Sequence, residues 1–69
     1  MENGWTKIFE TDQKMTSLIV MSLLKENNIE SVELDKRSSS YAGFGEIELF
    51  VKDDDVTIAK IIVDQYKNE

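Results

Sequence analysis

Sixty-nine residues, with fourteen acidic side chains against eight basic ones, give a net charge of −6, and the chain has neither His nor Cys. These counts exclude a disulfide framework, a thiolate metal site and any imidazole general base. The acidic balance also argues against nucleic acid and anionic membrane surfaces as partners, because both are bound through clustered Lys and Arg.

Residues 1–69 read as a single domain with a small core, since a chain this short buries only about 60% of its unfolded surface. Small domains without staples often gain stability by oligomerising, so a homodimer is expected. The longest apolar run, Leu18 to Met21, is too short to span a bilayer. The N-terminal stretch lacks the pattern of a signal peptide, and the expected location is cytoplasmic.

In chain order, Trp5 to Glu10 is rich in β-branched and aromatic residues and predicts a first strand. Thr11 or Asp12 can then cap a helix running to about Asn27. Met15 to Leu24 is apolar almost all round, so the charges choose the face. Lys14, Lys25 and Glu26 cluster on one side. The opposite side, with Ile19, Val20, Leu23 and Leu24 beside Thr16 and Ser17, is expected in the core. Leu18 and Met21 then fall on or near the charged side without an intrachain partner.

Asn28 suits the left-handed conformation that ends many helices. Ile29 to Lys36 predicts a second strand, with Val32 and Leu34 on one face and Ser31, Glu33 and Asp35 on the other. A Ser- and Gly-containing connection, residues 37–44, leads into the most regular strand, Gly45 to Lys52. Ile47, Leu49 and Val51 share one face of it; Glu46, Glu48 and Phe50 share the other. Asp53 is placed to cap a last helix, with Asp54 and Asp55 on the positive end of its dipole. Ile58, Ala59, Ile62, Val63 and Tyr66 form its expected core side, and Lys60, Asp64 and Lys67 its solvent side.

The fold class is therefore α+β, in the order β-α-β-β-α. Inserting the third strand between the first two gives a half ferredoxin-like, three-stranded sheet of order 1-3-2 with both helices on one face. The expected register sets Ile8 against Ile47 and Thr6 against Leu49 under the helices. It sets Trp5 against Phe50 and Lys7 against Glu48 on the open face.

Gly4 to Asp12, Leu23 to Glu30, and Leu34 to Asp55 together resemble the small prokaryotic signal-transducing protein family, a family of domains of unknown function. The most specific part is Ser39-Ser40-Tyr41 followed by Phe44-Gly45-Glu46-Ile47-Glu48-Leu49. Asn28 stands where that family usually has Gly, and the Pro that many relatives carry before the last helix is missing. The resemblance implies a small β-α-β-β-α fold and a regulatory role, and brings no catalytic residues with it.

The polar motifs read as structure. Gly43-Phe44-Gly45 leads into a strand rather than a helix, and Glu46 follows where a P-loop needs Lys-Ser/Thr. Ser38, Ser39 and Ser40 have no base to activate them. Asp53, Asp54 and Asp55 are consecutive, unlike the alternating ligands of a calcium loop. No enzymatic activity, cofactor or metal is expected.

Two functional expectations follow. The first is a non-catalytic, self-associating interaction module using the open sheet face, with Trp5, Phe9 and Phe50, or an edge strand; Leu18 and Met21 form a second patch. The alternative is a small-ligand-sensing regulatory domain in which the 37–44 loop, through Arg37, Tyr41 and Phe44, closes on an anionic or aromatic metabolite.

Overall fold

A computed structural model describes residues 4–37 and 46–68. Strand β1 (Trp5–Thr11) leads to helix α1 (Lys14–Glu26), then to strands β2 (Ser31–Asp35) and β3 (Ile47–Lys52). A single 3-10 turn, Asp53–Asp55, opens into helix α2 (Val56–Lys67). The sheet order is β1-β3-β2, with β3 antiparallel to both neighbours. This is the expected β-α-β-β-α arrangement.

The alternation of β3 explains its central place. Ile47, Leu49 and Val51 are fully buried. Leu49 and Val51 join Val20 and Leu24 of α1, Ile29, and Ala59 and Val63 of α2 in one core cluster. Both helices therefore cover the same sheet face.

The register differs from expectation by two to three residues. Trp5 opposes Lys52, Thr6 opposes Val51 and Lys7 opposes Phe50. Beyond Lys7 the pairing shifts, and Phe9, Glu10 and Thr11 oppose Leu49, Glu48 and Ile47. Ile8 is thus the extra residue of a bulge. A bulge breaks strict alternation, and here both Ile8 and Phe9 pack against the core cluster. Phe9, expected on the open face, is a helix-side residue.

The faces of the helices also need correction. On α1 the buried positions are Ser17, Val20 and Leu24, whereas Ile19 is 40% exposed. On α2, Ala59 and Val63 are buried, while Ile58 is 56% exposed. In both helices the core stripe is narrower than the sequence pattern suggests, and on α1 Leu23 is only half-buried, because a three-stranded sheet offers little area to cover.

Helix α1 ends as its sequence dictates. Asn28 has a φ of 62°. The Ile29 N–H donates to the Leu24 carbonyl (2.9 Å) and the Asn28 N–H to the Lys25 carbonyl (2.9 Å). This is the Schellman pattern, and its accompanying apolar contact is the buried pair Leu24 and Ile29. Asn tolerates the left-handed region better than residues without a short polar side chain. Asn28→Ala should therefore cost about 1 kcal/mol, read as a lower urea midpoint at unchanged slope.

The start of α2 is anchored to β1. The Thr6 hydroxyl donates to Asp53 Oδ1 (2.6 Å), and the Asp53 N–H donates to the Gly4 carbonyl (2.9 Å). The Asp53 side chain thus ties the turn to β1, and the residue capping α2 is Asp55, which makes no side-chain capping bond.

Candidate functional site

The uncovered sheet face carries the even-numbered residues of β3. Phe50 is flanked by Lys7 on β1 and Val32 on β2, and Leu34 opposes Glu48. Trp5, opposite Lys52, stands diagonal to Phe50, within the reach of aromatic side chains on one face. Trp5 and Phe50 thus share the face expected of them, without the third aromatic. Phe50 itself is only 8% exposed, Trp5 and Val32 are half-buried, and Leu34 is 39% exposed.

Charges surround this apolar patch. Lys7 lies 2.8 Å from Glu10 and 3.6 Å from Glu48, Lys36 lies 3.3 Å from Glu48, and Lys52 lies 3.4 Å from Glu30. Glu10 bonds both Glu46 and Lys7, which hold its carboxyl below the usual range. The same contact with Glu10 pushes the Glu46 carboxyl up. The Glu10 hydrogen bond raises the Lys7 ammonium. Opposed shifts in neighbouring carboxyls can mark acid–base chemistry. Here the shifts arise from side chains crowded at the end of a sheet.

Leu18 and Met21 occupy a different site. Together with Lys25, Ile29, Glu30 and Ser31 they border a groove of about 640 Å³ between α1 and the start of β2. Leu18 is exposed, and Met21 packs partly against the core. Other aliphatic side chains of the helix layer are exposed as well. Met15, Leu18 and Ile19 stand exposed on α1, as do Ile58 and Ile61 on α2. Of these, Ile19 and Ile58 were expected in the core, and Met15 and Ile61 were not singled out by the sequence. Distance from the Lys14–Lys25–Glu26 side was the wrong guide, because Met15 and Ile19 lie beside those charges on the outer surface.

The loop hypothesis meets one described residue. Arg37 is held by Asp35 through Nε (3.1 Å), Nη2 (3.0 Å) and its backbone N–H (2.9 Å). These bonds lower the Asp35 carboxyl and raise the guanidinium. Asp35 occupies the Nε–Nη2 edge of the guanidinium, so an anion would meet Arg37 on its remaining Nη1 side, next to a carboxylate. Tyr41, Phe44, the serines 38–40 and the glycines 43 and 45 lie outside the described residues.

A polar junction joins α1 to β2. The Ser17 hydroxyl, fully buried, donates to Glu33 Oε2 (2.8 Å), with the Lys14 carbonyl oxygen as a second acceptor at 3.0 Å. Lys14 Nζ pairs with the other carboxylate oxygen of Glu33. Lys14 and then Ser17 hold the Glu33 carboxyl below its ordinary range.

Residues 5–67 match the model of a family described as "Putative prokaryotic signal transducing protein". The chain belongs to this family. No curated protein and no solved structure matches the chain. The family description assigns a signal-transducing role and specifies neither ligand nor partner. No helix among the described residues is long and apolar enough to cross a membrane.

Proposed function

We propose that this member of the family is a non-catalytic module that transduces signals through protein contacts, self-associating through its sheet. One observation carries the proposal. Both helices cover one face of β1-β3-β2, so Trp5, Val32, Leu34 and the outer edge of β2 have no covering element among the described residues. Exposed apolar groups on a sheet, rimmed by paired charges, favour association over solvation. The exposed aliphatic side chains of the two helices support a second contact, to a different partner.

Leu34 tests the reading, because it belongs both to the open face and to the strand at its margin. Wild-type protein should sediment with concentration-dependent mass. Leu34→Arg should weaken association at least about tenfold without unfolding the domain, because the residue is already half in solvent. A monomer at every concentration contradicts the proposal. So does a dimer that survives Leu34→Arg but is lost with Ile61→Arg.

A further inference from the structure

The two sheet edges are not equivalent. Lys36 N–H donates to the Glu46 carbonyl (3.0 Å), continuing the register that pairs Asp35 with Ile47. In an antiparallel ladder only alternate residues exchange bonds with the directly opposed partner. Val32, Leu34 and Lys36 therefore spend their backbone groups on β3. Ser31, Glu33 and Asp35 direct theirs outward. Strand β2 has no register shift, whereas the bulge at Ile8 interrupts the outer edge of β1, a common protection against pairing. Among the described residues, only β2 offers a straight row of outward donors and acceptors.

We infer that a second copy of this chain pairs with that row, its β2 antiparallel to the first about a twofold axis at Glu33. The inference rests on the self-association proposed above and specifies its geometry. Outward-facing residues then oppose one another: Glu33 meets Glu33 of the second copy, and Ser31 meets Asp35 of the second copy. On the open face Val32 meets Leu34 of the second copy, and Glu30 meets Lys36 of the second copy, each twice by symmetry.

The facing Glu33 side chains do not forbid this register. Each carboxylate is already drawn toward α1 by Lys14 and Ser17, so the junction contains two lysines for two glutamates. Moving the axis by one residue is worse. An axis at Val32 sets Glu30 against Leu34 and Ser31 against Glu33. An axis at Leu34 sets Glu33 against Asp35 and Val32 against Lys36. The result of the Glu33 register is a continuous six-stranded sheet with both open faces on one side.

The test compares dimer dissociation of the full chain by sedimentation, at physiological ionic strength, for wild type, Glu30→Lys, Lys36→Glu and the double variant. Each single reversal should raise the dissociation constant roughly tenfold, because two pairs per dimer become repulsive. The double variant should return to within about threefold of wild type. Glu30 and Lys36 also pair within their own chain, with Lys52 and Glu48. The double variant leaves those contacts broken, so recovery can come only from pairing between copies. Trp5 lies on the opposite margin of the sheet, and Trp5→Ala should leave this dimer intact. A dimer indifferent to the reversals but lost with Trp5→Ala overturns edge pairing and leaves face-to-face association standing. A protein monomeric at every concentration overturns both.

Discussion

Leu24→Ala should remove about 3 kcal/mol of stability, while Ile19→Ala should cost less than about 1 kcal/mol. The two residues sit on one helix and look alike in the sequence. Leu24 is fully buried against Ile29 and Val63 in the core, and its carbonyl accepts the bond that closes the Schellman turn. Truncation there leaves a cavity that a rigid helix end cannot collapse. Ile19 faces outward. A domain of this size has a total stability of roughly 3–10 kcal/mol. The Leu24 change should therefore lower Tm by more than about 10 °C; scanning calorimetry of the two variants reads the contrast. Equal losses would show that the core stripe of α1 is wider than the structure indicates.

Ser17→Val should cost about 2 kcal/mol, although Val is similar in size and apolar. The hydroxyl is buried and donates to an ionised carboxylate, and the replacement leaves Glu33 one donor short. The junction also makes stability depend on pH. The folded pKa of Glu33 lies below its ordinary value of 4.5, through Lys14 first and Ser17 second. Its contribution is therefore complete above that value and is lost as pH falls through the lower folded value. Glu33→Gln keeps the size and an acceptor oxygen but does not titrate. Denaturant midpoints measured from neutral pH downward should fall more steeply for wild type than for Glu33→Gln across that acid window. Parallel curves would remove Glu33 from the account.

Much of this architecture is legible in the residues. The period-2 pattern from Ile47 to Val51 identifies β3 as the buried centre, and that alone orders the sheet. Asn28 announces its left-handed turn. The bulge at Ile8 is not legible, because Ile8 and Phe9 are both apolar and either could face the core. It added one residue of shift from Phe9 onward, which took Phe9 off the open face; the two-residue offset from Trp5 to Lys7 is separate from it. The helix faces were misjudged for a related reason. Apolar residues all round α1 hide which ones the sheet can reach, and a narrow sheet reaches few. Trp5 and Phe50 fell on the same face despite the register error, because a shift of two residues preserves side-chain direction. The Ser17–Glu33–Lys14 junction spans β2 and α1, and nothing in local spacing reveals it.

The central claim is that the protein works through its sheet rather than through its helix layer. A photo-crosslinking residue placed at Leu34 probes the open face beside β2, and the same residue at Ile61 probes the outer surface of α2; both positions are exposed. In native cells, the Leu34 position should yield a crosslinked species of two copies of the chain, and its yield should fall when Lys36→Glu is added. Two-copy adducts formed only from Ile61, with none from Leu34, would contradict the claim.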